Sequence, residues 1–176
     1  MSRVSPGVPG PGGSGDSTVE GLDLGQIRTA ARALIVREAR LLLTHCRDAR
    51  GDWYTAPGGG QIEGESLPET LVRECREEIG VAVEVVGLRY VRDYIVAQHD
   101  FSYLDKAAHQ LELFFECTVP ANYRAQNGPS PDSCQVGVIW ADAEALRTLR
   151  VYPERLRDGV QPGAAGGLPV YWGDGR

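Results

Sequence analysis

Residues Gly59 to Val81 read GGQIEGESLPETLVRECREEIGV, and local rules divide this stretch into a glycine loop and a helix. Ser66 offers a side-chain oxygen as N-cap. Pro68 fits a first turn, where an amide hydrogen would go unused, and Glu69 stands three residues after the cap, where its carboxylate can return to the cap's own N–H. The pattern predicts a helix of about thirteen residues. It should stop at Gly80, since glycine takes the left-handed conformation of a helix end without a Cβ clash. Leu71, Cys75 and Ile79 recur every fourth residue and form an apolar stripe that would dock the helix on a core. Glu74, Glu77 and Glu78 lie beside that stripe, three and four residues apart, so their carboxylates share one face.

Like charges so placed repel one another, and a set of hard oxygen donors with room for water suits Mg²⁺ or Mn²⁺ better than Zn²⁺. The ordinary fate of such a charge run is a solvated face. Two neighbours argue for more. Arg73 sits one turn before Glu77 and eight residues after Glu65, placed to brace carboxylates by charge-assisted hydrogen bonds. Pro57, Gly58, Gly59 and Gly60 lead into the same unit, and a glycine backbone can approach a metal or a phosphate where side chains would block it. Gly58 and Gly60 are therefore candidate substrate contacts.

The run resembles the Nudix box, Gly-x5-Glu-x7-Arg-Glu-U-x-Glu-Glu-x-Gly-U, where U is a bulky apolar residue. Gly59, Glu65, Arg73, Glu74, Glu77, Glu78 and Gly80 fill its fixed positions, Val81 fills the last apolar one, and the smaller Cys75 stands at the first. The resemblance implies a small α/β/α sandwich with a mixed β-sheet. It also implies hydrolysis of a nucleoside diphosphate linked to another moiety, by water attack at phosphorus with Mg²⁺ as cofactor and Mn²⁺ as a possible substitute. By transfer, Glu74 and Glu78 are principal metal ligands, Glu77 is a further ligand directly or through water, and the Gly59 carbonyl is an additional donor. Arg73 and Glu65 hold the loop against the helix.

Members of this family commonly add an acidic residue from downstream of the box. The strand pattern Leu111–Val119 (LELFFECTV) puts Leu111, Leu113, Phe115 and Cys117 on one face and Glu112, Phe114 and Glu116 on the other. Glu116 is the choice for that residue, as ligand or base, with Glu112 the alternative. The general base stays open between Glu74 and Glu116.

Outward from the box, the 176 residues allow one globular domain with a tail. Residues 1–25 carry SPGVPGPGGSGDS, too rich in Gly, Pro and Ser to bury a core, and are expected to be disordered; the domain is expected over 26–176. Thr29–Val36 and Arg40–Cys46 read as a hairpin, Asp48–Asp52 as a loop, Ala82–Tyr90 and Val91–Val96 as strands, and Ala97–Gln110 as a loop that would carry specificity. Gln135–Trp140 reads as a strand, Asp142 caps a short helix, Pro153 opens another, and Leu168–Trp172 packs back as a last extended piece. Trp53 and Tyr54 precede the glycine loop and are candidates to stack a base, with core or rim packing the commoner role of such rings. His109 is a candidate contact to substrate phosphate.

The net charge of −6 offers no basic stripe, which excludes a long nucleic acid as partner. A small-molecule nucleotide remains, because metal ions can stand between two sets of negative charge. No apolar run is long enough for a signal peptide or a membrane span, and Cys46, Cys75, Cys117 and Cys134 show no metal or redox spacing, so a cytoplasmic protein is expected. A homodimer is compatible with the sequence and not readable from it. Secondary signatures of several Nudix subfamilies are missing, which leaves a MutT-like nucleoside triphosphate or related nucleotide pyrophosphatase by exclusion. An ADP-ribose or sugar-nucleotide pyrophosphatase, a non-catalytic nucleotide-binding module and an interaction domain are the alternatives.

Overall fold

In a computed structural model, which describes residues 27–95, 109–160 and 169–174, the box lies between a curled sheet and the loop that follows its helix. The strands are β1 (Ile27–Arg37), β2 (Arg40–Asp48), β3 (Gly51–Thr55), β4 (Gly58–Gly60), β5 (Glu84–Ile95), β6 (His109–Thr118), β7 (Gln135–Ala141) and β8 (Val151–Tyr152). Two α-helices, α1 (Leu67–Ile79) and α2 (Ala143–Thr148), and a 3₁₀ helix over Glu154–Val160 complete the described elements. The tail expected over residues 1–25 and residues 97–108 of the expected specificity loop lie outside the described residues.

The main path of the sheet runs β5-β6-β1-β2-β3-β8, with β4 on β1 and β7 on β2. β1 runs parallel to β6 from Ile27 opposite His109 to Ile35 opposite Cys117. It meets β2 only beside the hairpin turn, at Val36 opposite Leu41 and Arg37 opposite Arg40. Beyond that point β1 takes the glycine strand β4, while β2 takes β3 and β7, so the sheet parts into two arms. The turn between β1 and β2 uses Glu38 and Ala39 at φ 52° and 54°, the double left-handed geometry that suits a two-residue hairpin.

Strand alternation feeds two cores, one on each side of the sheet. Ala31, Ala33 and Ile35 of β1, Leu42 of β2, and Phe115 and Cys117 of β6 face α1, where they meet Leu71, Cys75 and Ile79. Leu41, Leu43 and Phe114 point the other way, towards Leu146 of α2 and Leu156 of the 3₁₀ helix. This is the α/β/α sandwich that the sequence implied. No helix among the described residues is long and apolar enough to cross a membrane.

The predicted helix matches its boundaries. Glu69 accepts from the Ser66 N–H at 2.7 Å, the Ser66 hydroxyl faces the Glu69 amide, and Gly80 ends the helix at φ 72°. Such a cap stabilises by about 1 kcal/mol. The carbonyls at the far end find partners in the loop before β7 and in its first residue: Gly128 N–H and the Gln135 side-chain amide donate to Glu78 O at 2.8 and 2.7 Å, Ser130 N–H to Glu77 O, and Tyr123 Oη to Ile79 O. Helix α1 is thus tied at both ends, as the orphan groups of a buried helix require.

Three boundaries differ from expectation. Gly51 and Asp52 begin a strand rather than closing a loop, because they pair with Asp48 and Arg47 across a tight turn. The two strands expected after the box are one, β5, which keeps its pairing with β6 through irregularities near Val85 and Leu88. His109 and Gln110 start β6, opposite Ile27 and Arg28, instead of ending a loop. At the C-terminal end Trp172 is buried against Tyr90 and Phe114, and its N–H bonds Val91 O at 2.8 Å, as expected of a returning segment.

Candidate functional site

The short strand β4 is three consecutive glycines because each lies against something a side chain would strike. A Cβ on Gly58 would stand 2.2 Å from Ala31 O, one on Gly59 would stand 2.6 Å from the Glu74 carboxylate, and one on Gly60 would strike the Arg28 guanidinium. Backbone and carboxylates therefore approach more closely than any other residue would permit. The Gly58 N–H donates to Glu78 Oε2 at 2.9 Å, so β4 and the last turn of α1 are bonded directly.

Glu78 is almost fully buried, and its carboxyl is pushed up to about 8. Burial is the main cause; Asp132 and Glu74 add to it, while Arg32 and the Gly58 N–H oppose it. A carboxylate held there calls for positive charge nearby. Arg32, on β1, supplies part: its guanidinium donates to Gly58 O and, through Nε, to Glu112 Oε1 at 3.3 Å.

Arg73 gathers the remaining carboxylates. It donates to both oxygens of Glu65 at 2.7 and 3.0 Å, to Glu74 at 2.7 Å, to Glu77 at 3.4 Å, and to Gly60 O at 3.0 Å. That pairing is why Glu65 is held down at about 2, its bonds to Arg73 outweighing desolvation. The fork geometry of arginine permits this division among four groups; the point charge of lysine would not.

The sequence that builds this geometry is matched by a family model. The description "NUDIX domain" fits residues 26–159, three quarters of the chain. The chain belongs to the Nudix family. Among curated relatives, it is 29% identical over 105 residues to the uncharacterized Nudix hydrolase YvcI of Bacillus subtilis, covering 59% of this chain and 60% of that protein. It is 27% identical over 127 residues to the nucleoside triphosphatase NudI of an Enterobacter species, covering 69% and 86%. The crystal structure of a MutT Nudix hydrolase from Burkholderia pseudomallei superposes at a TM-score of 0.59 with 22% identity, covering 76% of this chain and 96% of the other. At that identity the likeness concerns the fold.

Within the Nudix box, Glu74 and Glu78 face the glycine strand, while Glu77 is two-fifths exposed on the outer side of Arg73. Among the described residues no three His, Cys, Asp or Glu side chains converge as a ready-made metal cage, since Glu74 and Glu77 both turn to Arg73. The donors present nonetheless fit a hard divalent cation. Glu78 is a desolvated carboxylate in need of a cation, Glu74 packs where the Gly59 Cβ would be, and Mg²⁺ in particular retains several waters and asks for only one or two carboxylates.

The other candidate contacts have protein partners of their own. Gly58 and Gly60, expected to present backbone to substrate, already give the Gly58 N–H to Glu78, the Gly58 carbonyl to Arg32 and the Gly60 carbonyl to Arg73. Trp53 and Tyr54 stack on protein rings: Trp53 edge-on to Tyr152 and Tyr54 face to face with His45 at 4.7 Å. His109 bonds Asp93 at 2.9 Å.

Of the two downstream candidates on β6, Glu116 is paired outside the box. It forms an exposed ion pair with Arg89, at the β1 level of Leu34, whereas Glu112 lies at the level of Ala30, directly across from Gly60. Glu112 is buried between Arg32 and Arg92, at 3.3 and 3.4 Å, and is the strand carboxylate connected to the box. Arg32 and Arg92 were not singled out from the sequence. Their signal was a charge inside an apolar strand, the same anomaly that flagged Glu112.

Glu112→Gln should destabilise the fold by about 3 kcal/mol, because it leaves the buried Arg92 and half-buried Arg32 guanidinium groups facing each other. Glu116→Gln should stay within about 0.5 kcal/mol of the parent, as exposed pairs do. Urea unfolding of both variants checks the contrast; equal losses would return Glu116 to consideration.

Proposed function

We propose that this protein hydrolyses the pyrophosphate linkage of a nucleoside diphosphate derivative, by water attack at phosphorus, with a nucleoside triphosphate or related nucleotide as substrate. The observation that carries the reading is the joining of Glu78 to the Gly58 N–H and the packing of Glu74 against Gly59, two carboxylates held on one glycine strand. Support for the substrate class comes from the relative described as a nucleoside triphosphatase.

A divalent cation bound by Glu74 and Glu78, with Glu77 and the Gly59 carbonyl as further donors, would neutralise the pyrophosphate and make a water more acidic. The chain's own residues do the rest. Arg73 and Glu65 fix the loop against the helix, so both carboxylates keep their separation from β4. Arg32, paired with Glu112, donates to the Gly58 carbonyl and holds Gly58 in register with Glu78. Glu74 is the favoured general base: like Glu116 it is paired with an arginine, but it lies against Gly59, next to the strand residue that bonds Glu78.

The test is product analysis over a panel of triphosphates, ADP-ribose, sugar nucleotides and dinucleotides with Mg²⁺, with Mn²⁺ and with chelator. The expected result is turnover of triphosphates to a nucleoside monophosphate and pyrophosphate, abolished by chelator. Turnover confined to ADP-ribose or sugar nucleotides would replace the substrate class while keeping the reaction. A folded protein that bound nucleotide without turnover in any metal would overturn the hydrolase reading in favour of a binding module.

A further inference from the structure

Cys46 and Cys134 are 88 residues apart in sequence and 2.9 Å apart at their Sγ atoms, within about 1 Å of the length of a disulfide bond. Both are free thiols. The backbone brings them together: Cys46 sits at the irregular step of the β2–β7 ladder, opposite Gln135, and the next residue's N–H, that of Arg47, donates to Cys134 O at 2.9 Å. Cys46 is buried and Cys134 is half-buried, so an oxidant reaches one of the two first. Neither the box chemistry nor the core needs a cysteine at position 134.

We propose that Cys46 and Cys134 are a redox-active dithiol that closes reversibly to a disulfide. Hydrogen peroxide would convert the Cys134 thiolate to a sulfenic acid, its O–O bond breaking with release of hydroxide. The Cys46 sulfur then attacks that sulfur, forming the S–S bond, and a water leaves with the sulfenic oxygen. In sum two thiols lose two electrons and two protons, and the peroxide is reduced. A small-molecule disulfide reaches the same product by exchange through a mixed disulfide on Cys134, releasing two small thiols.

The assignment of roles follows from the surroundings. The hydrogen bond shared with the neighbouring thiol holds Cys134 below the ordinary thiol range, against burial and the charges of Asp132 and Asp48. The same bond, with burial, holds Cys46 above it. The nucleophilic sulfur is thus the more accessible one, and its resolving partner is already in place. By contrast Cys75 and Cys117 are buried and held high, chiefly by desolvation, and serve as internal controls.

The crosslink would have a structural effect at the box. Cys134 precedes Gln135, whose amide donates to Glu78 O, and follows the turn in which Gly128 and Ser130 cap α1. A disulfide would pin this capping segment to β2 and restrict the unfolded chain through a long loop, so the oxidised protein should melt at a higher temperature.

The experiment treats the full chain with hydrogen peroxide, and separately with glutathione disulfide, then counts thiols under denaturing conditions and maps peptides by mass spectrometry. The expected result is loss of two of the four thiols, a Cys46–Cys134 linked peptide lighter by two hydrogens, recovery with dithiothreitol, and a melting temperature that rises on oxidation in the parent but not in Cys134→Ser. Four thiols surviving in the folded protein would overturn the proposal. So would a stable glutathione adduct or sulfinic acid on Cys134 with Cys46 still free. The parent protein alone decides this, even if a serine variant fails to fold.

Discussion

Replacing Glu78 by Gln should reduce metal-dependent turnover at least about a hundredfold while making the protein more stable in chelator at alkaline pH. The two effects have one cause. Burial pushes the Glu78 carboxyl up to about 8, from an ordinary value of 4.5. A carboxyl raised in the folded state binds a proton that the unfolded chain has released, so its stabilising contribution is complete below about pH 4.5 and is lost as pH rises through about 8. Glutamine carries no charge to desolvate and can still accept from the Gly58 N–H. In chelator the variant should therefore gain on the parent between those pH values, by a margin on the order of 5 kcal/mol that levels off above pH 8. Mg²⁺ should reverse the order, because it stabilises only the protein whose carboxylate it can bind. Thermal melts at several pH values, with chelator and with Mg²⁺, check the pattern. A variant that is inactive and also less stable than the parent in chelator at pH 9 would mean that Glu78 is structural, held charged by Arg32.

What could be read from the chain was mostly what is local. The α1 boundaries are written in Ser66, Glu69 and Gly80, each of which acts within one turn. The apolar stripe Leu71, Cys75, Ile79 and the alternation in β6 placed both cores, because side-chain direction follows from backbone period alone. The choice between Glu112 and Glu116 could not be made that way. The two share a face of β6, and what separates them is the parallel register with β1, which sets Glu112 beside Ala30 and Glu116 beside Leu34 across some eighty residues of chain. Tertiary pairing also made a strand of Gly51 and Asp52, whose residue types suggest a turn, and placed Glu38 and Ala39 in a turn whose sequence lacks the usual Asn-Gly signal. The cysteine pair was hidden for the same reason: no spacing rule joins Cys46 to Cys134, and only the β2–β7 ladder does.

The glycines of β4 should separate fold from site when each is changed to alanine. Gly58 has φ 130°, and a Cβ there would stand 2.2 Å from Ala31 O and 3.0 Å from the Arg32 Cα, both backbone atoms of the central strand. Neither the conformation nor the neighbour can yield cheaply. Gly58→Ala should cost more than about 4 kcal/mol and yield little folded protein, since backbone strain and overpacking add. Gly59 has no such φ, and its Cβ would meet the Glu74 carboxylate, the far end of a flexible side chain, at 2.6 Å. Gly59→Ala should stay folded, within about 1.5 kcal/mol of the parent, because Glu74 can swing away with Arg73 still bonded to Glu65 and Gly60. That movement takes Glu74 from the place where it faces β4. Turnover should therefore fall by about a hundredfold in a protein whose circular dichroism and melting temperature are nearly those of the parent. Retained activity in Gly59→Ala would show that Glu74 need not lie against the glycine strand, and would move the reaction's charge onto Glu78 and Glu77.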